Sequence, residues 1–361
     1  MIHYGKQTID KDDEIEVIKA LKSDYLTTGP VVKKFEEKLA LKLGFKYVVV
    51  VSSGTAALHL SSLILLNRGD KVLTTPNSFL ATSNSILYVG AEPVFIDICS
   101  DGLLDLNLVE KRLEKGDIDA LYLVSFSGLP FDDNKLKYLK SRYGVKILLD
   151  NSHYFDKDNG ICDIATYSFH PVKHITTFEG GAIGINDEMI YKKLLSLRNH
   201  GIYKDENMYP WEYEMRDLGY NYRLSDVASS LGLSQLGKID QFLKRRKDIA
   251  KLYHKKLKKV SPLYEYNENS SYHLFVVKYP FKNLDEKAKF FTNMRERGIG
   301  LQYHYIPINS QPFYKNLGFV YTKGDFPIMD RYYRESFSIP IYPGLKESEQ
   351  MYVIEQIGSI L

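Results

Sequence analysis

From about residue 45 to residue 190, short runs of β-branched and aliphatic residues alternate with amphipathic stretches, and few folds accommodate that rhythm. Near-continuous apolar runs belong to strands buried on both faces, and parallel strands need a helical crossover between them. The pattern therefore predicts β-α-β units around a largely parallel sheet. Seven runs qualify as strands, at 47–51, 71–75, 93–97, 120–125, 146–150, 164–169 and 182–185. Between them, 56–66 and 134–143 carry apolar residues at three- and four-residue spacing, as helices packed on a sheet do. Upstream, 12–21 is expected to be a helix with Ile15, Ile18 and Leu21 inward, and 32–43 a second, separated by Thr27-Thr28-Gly29-Pro30. A long helical stretch at 225–259 then leads into mixed strands and helices. The expected organisation is a large domain over 1–235 and a smaller α+β domain over 236–361, sharing an interface.

A chain of 361 residues can bury a deep ligand site, and its formal charge of +3 is too small for nucleic-acid binding by bulk electrostatics. Cys99 and Cys162 lie far apart with no CxxC or Cys/His spacing, so neither a disulfide framework nor a metal site is indicated. The N-terminal stretch is acidic where a secretory signal needs an apolar core, and no run is long enough to span a bilayer. A cytoplasmic location away from membranes is expected.

Three places carry chemistry. Ser52-Ser53-Gly54-Thr55-Ala56-Ala57 falls where a strand gives way to a helix. Small residues there leave backbone N–H groups free to meet an anion at the positive end of the helix, although the same pattern also serves as a plain capped turn. Leu148-Leu149-Asp150-Asn151-Ser152-His153 delivers a carboxylate to the C-terminal edge of a strand, where open α/β sheets bind ligands. Asp150 can cap a helix there, or stabilise the protonated ring nitrogen of a pyridoxal cofactor. The most specific stretch is Ser168-Phe169-His170-Pro171-Val172-Lys173-His174-Ile175-Thr176-Thr177-Phe178-Glu179-Gly180-Gly181. An amine fixed and desolvated between Pro171 and the glycine pair suits Schiff-base chemistry, whereas a loop lysine alone is usually a solvated charge.

Together with Pro76-Asn77-Ser78-Phe79-Leu80-Ala81-Thr82, Gly219-Tyr220-Asn221-Tyr222-Arg223 and His304-Tyr305-Ile306-Pro307, these words resemble the DegT/DnrJ/EryC1/StrS family of sugar aminotransferases over nearly the whole chain. The resemblance implies the type I aspartate-aminotransferase fold, a mainly parallel seven-stranded α/β sheet with a smaller C-terminal domain. It implies pyridoxal 5′-phosphate as cofactor, cycling through the pyridoxamine form, and a homodimer with shared active sites. Lys173 is then the Schiff-base lysine, Asp150 the partner of the ring nitrogen, His153 the neighbour of the ring hydroxyl and Phe79 the stacking residue. The Thr55 and Ala56 amides and the Ser168 hydroxyl would cradle the phosphate, completed by Asn221 of the other subunit. Thr28, His304, Tyr305 and Arg223 would meet the substrate.

The implied reactants are L-glutamate and a UDP-linked keto-sugar. Leu73-Thr74-Thr75-Pro76, Ser152-His153, the run around Lys173, Arg198-Asn199-His200-Gly201-Ile202 and the words around Tyr220 resemble family members that aminate C4 of a UDP-linked 4-keto-6-deoxy-N-acetylhexosamine in pseudaminic acid biosynthesis. The chain departs from the family at Tyr154-Phe155-Asp156, where Ala-Leu-Gly is usual, and the segment from there to Lys173 is short, so substrate access is expected to differ. Family members with histidine in place of the lysine are dehydratases, which an intact Lys173 argues against. Others are regulators that keep the pocket without turnover. A Rossmann module is disfavoured because no GxGxxG follows any strand.

Overall fold

The computed structural model describes residues 1–157, 160–319, 322 and 324–361. Seven strands form the main sheet: β1 (Tyr47–Val51), β2 (Lys71–Thr74), β3 (Glu92–Phe95), β4 (Ala120–Val124), β5 (Lys146–Asp150), β6 (Ile164–Ser168) and β7 (Gly181–Ile185), in the order β1-β7-β6-β5-β4-β2-β3. Each begins within a residue of the run that predicted it. Alternate residues face opposite sides of the sheet. Val48 and Val50 of β1 join one apolar cluster with Leu121, Leu123 and Ile147, while Val49 and Val51 join another with Ala120, Tyr122 and Leu148. A core on each face makes this the helix–sheet–helix sandwich expected.

One strand departs from the parallel rule. β7 runs antiparallel to both β1 and β6. The physical reason is the connection: the segment between β6 and β7 contains no helix to carry the chain back across the sheet, so it turns and returns beside its predecessor. Lys173 sits in that irregular turn.

Helices α1 (Lys11–Leu21) and α2 (Pro30–Leu43) precede the sheet, while α3 (Gly54–Leu65), α4 (Leu80–Tyr88), α5 (Leu106–Leu113), α6 (Asp133–Tyr143) and α7 (Glu188–Arg198) flank it. Asp226 fixes the start of α2 by accepting from the N–H groups of Gly29 (2.7 Å), Val31 (2.9 Å) and Val32 (3.4 Å), three donors a helix start otherwise leaves unpaired. That clamp leaves Thr28 in the left-handed region, at φ 57°.

Two expectations need correction. Ile15, Ile18 and Leu21 are exposed, and α1 instead buries Asp13 and Ala20. The inward face is chosen by polar contacts: Asp13 accepts from Ser234 Oγ, Gln235 Nε2 and Lys238 Nζ. The stretch at 225–259 is also two helices, α8 (Asp226–Gly237) and α9 (Ile239–Lys256), broken at Lys238. Gly237 weakens the helix there, and Lys238 Nζ is drawn to Asp10 and Asp13.

Beyond α7, β8 (Ile202–Tyr203) and β9 (Glu214–Met215) make a short hairpin. The C-terminal part builds a three-stranded antiparallel sheet from β10 (Ser261–Pro262), β11 (Phe275–Lys278) and β12 (Ser336–Ile339). Around it lie α10 (Leu284–Glu296) and α13 (Glu347–Ile360), over a third apolar cluster that includes Tyr253, Phe275, Phe290 and Phe337, while α11 (Pro312–Asn316) and α12 (Pro327–Glu335) pack toward the main sheet through Tyr314, Met329 and Tyr332.

This part is stitched to the main sheet just before β11. Gly128, at φ 94°, lies so close to the crossing segment that a Cβ there would meet Tyr272 N at 2.8 Å and His273 N at 3.0 Å. Ser271 N–H donates to Gly128 O (2.8 Å) and Ser127 Oγ to Leu274 O (2.9 Å). The Tyr154-Phe155-Asp156 departure is accounted for in part by the same junction. Phe155 is buried, its N–H donates to Ser271 Oγ (2.9 Å), and its ring packs near Tyr167 and His174. Residues 158 and 159 of the shortened segment lie outside the described residues.

Candidate active site

The C-terminal ends of β5 and β6, the N-terminus of α3, the β6–β7 turn and residues 302–305 enclose a cavity of about 520 Å³. Its walls include Asp150, His153, Lys173, Phe79, Thr55, Ser168, His304 and Tyr305, so most of the residues singled out in the sequence converge on one space.

Asp150 ends β5 and is 4% exposed. Its Oδ2 accepts from Thr82 Oγ1 at 2.7 Å, while its Oδ1 accepts from Ser152 Oγ at 2.6 Å and Ser152 N at 3.1 Å. Three donors hold the carboxylate in one orientation while leaving it acceptor capacity toward the cavity. Thr82 and Ser152 stood inside the quoted motifs, yet sequence reasoning gave them no role; the spacing Asp-x-Ser is the signal that marked Ser152.

His153 is buried one turn further on. Its Nδ1 accepts from the Ser127 N–H (3.4 Å), which puts the ring proton on Nε2, and Nε2 donates to Tyr305 Oη (3.0 Å). Burial, with Lys173, His304 and His174 near, pushes the imidazole well below its usual range. Tyr305, expected at the substrate, is thus also the hydrogen-bond partner of His153. His304 Nδ1 lies 2.8 Å from Ser338 Oγ, and burial followed by the Lys173 charge lowers its ring to about 3.

Burial lowers the Lys173 ammonium to about 8, with the nearby Asp150 charge acting in the opposite direction. A step that needs the uncharged amine will therefore speed up as pH rises through about 8 and level off above it. The buried imidazoles stay neutral throughout, so they add no limb between pH 6 and 8. Rapid-mixing rates for reaction of the free Lys173 amine with an aldehyde across pH 6 to 9.5 check this; a flat profile would contradict it.

At the N-terminus of α3, Ser53 Oγ accepts from the Ala56 N–H (3.0 Å). Ala56 is thus already capped, and the first amides of the helix, Gly54 and Thr55, are the ones an anion would meet. A Cβ on Gly54 would stand 2.9 Å from Ser168 Cβ, and one on Gly181 would stand 2.5 Å from Ser53 O. The glycines thus keep a cradle open beside the Ser168 hydroxyl. A phosphate cradle, a carboxylate for a ring nitrogen, an exposed aromatic face at Phe79 and a desolvated amine are the donor set that pyridoxal phosphate requires, and the residues present fit it.

Two expected residues lie elsewhere, while Asn221 was expected from another subunit. Thr28 and Arg223 line a second depression of about 330 Å³ with Lys33, Arg198 and Asn199, and not the Lys173 cavity. Arg223 donates to the neutral amide of Asn199, a contact that leaves its charge uncompensated. Asn221 is exposed beside this depression, bridging to Asn199. Conversely, the cavity takes in Tyr4, His170, Glu179, His273 and Gln302, which sequence reasoning left without a role. Among the described residues no group of three or more His, Cys, Asp or Glu could hold a metal ion, and no helix is long and apolar enough to cross a membrane.

A profile of the DegT/DnrJ/EryC1/StrS aminotransferase family matches residues 7–358. The UDP-4-amino-4,6-dideoxy-N-acetyl-beta-L-altrosamine transaminase of Campylobacter jejuni is 38% identical, covering 100% of this chain and 98% of its own. Among solved structures, Helicobacter pylori PseC, an aminotransferase of pseudaminic acid biosynthesis, superposes with a TM-score of 0.92 at 30% identity, over 99% of this chain and 98% of that one. Spr1654 of Streptococcus pneumoniae in its PMP form gives 0.91 at 28% identity, over 100% and 99%.

Proposed function

The chain belongs to the DegT/DnrJ/EryC1/StrS aminotransferase family, and from that membership we propose that it moves an amino group from L-glutamate to C4 of a UDP-linked 4-keto-6-deoxy-N-acetylhexosamine, UDP-2-acetamido-2,6-dideoxy-β-L-arabino-hexos-4-ulose. The observation that carries the reading is the convergence of Lys173, Asp150 and the α3 cradle on one cavity.

Pyridoxal phosphate, when bound, supplies an electron sink for the bonds at the amino-bearing carbon. Gly54, Thr55 and Ser168 would hold its phosphate, Asp150 would meet the charge of its ring nitrogen, His153 would neighbour its hydroxyl and Phe79 would stack on its face. Lys173 has two duties. It would anchor the cofactor, and its freed amine would take the α-proton from glutamate; the amino nitrogen would stay with the cofactor while water releases 2-oxoglutarate. In the second half-reaction the same amine gives a proton to C4 of the keto-sugar, so one base serves both directions.

The second depression supports a homodimer. Its Lys33 and Arg223 suit a nucleotide diphosphate, while Arg198 is paired with Glu36; the depression lies apart from Lys173, and the reading is that Arg223, Thr28 and Asn221 complete the cavity of a second copy. The exposed apolar face of Ile15, Ile18, Leu21, Tyr25 and Leu26 offers surface for that pairing. The division into a large domain at 1–235 and a small one at 236–361 belongs to the same proposal, as does a cytoplasmic setting, where UDP-sugars and glutamate are at hand.

The experiment is a panel. The protein, loaded with cofactor and given L-glutamate, is offered UDP-linked 4-keto-6-deoxy sugars and a 3-keto analogue, with products read by mass and NMR. Amination at C4 of the L-arabino sugar is expected; amination only at C3, or of none, would refute the substrate assignment.

A further inference from the structure

His273 belongs to the C-terminal part of the chain yet lines the cavity of the main sheet, and nothing above gives it a role. It is 4% exposed. Its ring centroid stands 4.4 Å from that of His153, at 36°, and 5.4 Å from that of His174. These three buried imidazoles form a short column beside Lys173.

His273 Nδ1 is buried with no hydrogen-bond partner. Buried polar atoms are rarely left so, and what the side chain offers its neighbours is therefore its flat face. The backbone around it is pinned: Ser271 and Leu274 bond to the Ser127–Gly128 turn, and Arg246 Nη1 donates to the carbonyl oxygens of Tyr272 (3.3 Å), His273 (3.2 Å) and Ile341 (3.1 Å). With its backbone pinned and its ring packed between those of His153 and His174, the side chain can set the plane of what it covers.

His153 is what it covers. That ring has two polar contacts, the long one from Ser127 N–H (3.4 Å) and the one to Tyr305 Oη (3.0 Å), one at each ring nitrogen. Neither prevents it from tilting about the line that joins them. We propose that His273 is a positioning residue of the proton-transfer site: its face backs the His153 ring and fixes the plane in which His153 and the Tyr305 hydroxyl stand beside Lys173.

The groups that face this column come from every neighbouring element. Lys173 and His174 come from the β6–β7 turn, Asp150 and His153 from the end of β5, His304 and Tyr305 from the 302–305 segment, and Arg246 from α9. Two of them are cations, Lys173 and Arg246; burial, followed by His153, Lys173, His174 and Arg246, drives His273 well below the usual imidazole range. The column is thus uncharged at neutral pH, and a tilt of His153 alters the polar surroundings of the Lys173 amine without altering net charge.

The inference rests on the functional reading, and its test uses the cofactor-loaded protein. The visible absorbance of the cofactor linked to Lys173 is titrated with pH in wild type, His273→Ala and His273→Phe, alongside kcat and KM for glutamate. His273→Ala is expected to move the spectral midpoint by about one pH unit and lower kcat about tenfold, with KM within roughly threefold. His273→Phe, which restores a flat face, is expected to return both within about threefold. If phenylalanine does not fold, His273→Asn presents a flat amide in its place. An alanine variant with the wild-type midpoint overturns the proposal even if its melting temperature falls, because a structural role alone predicts that result. So does a shift in alanine that neither replacement restores, since the nitrogens would then be what matters. Wild-type protein with no visible band would overturn the functional reading as well, whereas a normal band with unmoved variants overturns only this inference.

Discussion

Replacing Lys173 with alanine is expected to lower turnover by on the order of 10⁴-fold, the upper range for removal of a general base, because the same amine also anchors the cofactor. The variant should still fold, since Lys173 is only partly buried and its turn is held by backbone contacts such as Lys173 N to His170 O (2.9 Å) and Thr177 N to Phe169 O (3.1 Å). The cradle at α3 and Asp150 remain intact, so pyridoxamine phosphate should still bind. Steady-state assays paired with equilibrium dialysis of the pyridoxamine form check both halves. Turnover within tenfold of wild type would remove Lys173 from the chemistry.

Asp150→Asn is the second large effect. The amide has the carboxylate's shape but not its charge, so the fold should hold while the counter-charge to a protonated ring nitrogen is lost. A fall in kcat of about a hundredfold or more is expected, the scale seen when one preorganised electrostatic contact is removed. By comparison, Thr82→Val and Ser152→Ala each delete one of the three donors that orient the carboxylate, and should cost only about tenfold, the low end for one hydrogen bond to a charged group, since the other two donors remain. If all three variants lost activity equally, Asp150 would be a structural hub and not the electrostatic partner.

The site was readable in part because an α/β sheet gathers its chemistry at one edge. Asp150 ends β5, Ser168 ends β6, Thr55 opens the helix after β1 and Phe79 precedes the helix after β2. Each could be placed by finding the end of an apolar run, and the structure brings all of them to the same cavity. Lys173 was readable through its motif, but the reversal of β7 that puts it in a turn was not, because the apolar pattern of a buried strand is the same in either direction.

What escaped depends on pairing distant segments. His273 lies 120 residues from His153 in sequence, and the Gly128 turn that joins them carries no local signature of its partner. The exposed face of α1 was misread for a related reason: periodicity identifies an apolar stripe but not whether it meets the core of its own chain. Here the buried carboxylate of Asp13, bonded to α8 and Lys238, decides which side turns inward. Thr28 and Arg223 were expected near the substrate and line a second depression instead, because a local motif does not tell which cavity of the fold it serves.

The most direct test is the visible spectrum of the cofactor-loaded protein before and after L-glutamate, with the Lys173→Ala variant beside it. In wild type a band from the cofactor linked to Lys173 is expected to fade on glutamate and return on addition of the 4-keto-sugar, while the variant shows neither change. A wild-type band that ignores glutamate would mean a protein that binds the cofactor without transferring amino groups, and would contradict the account at its centre.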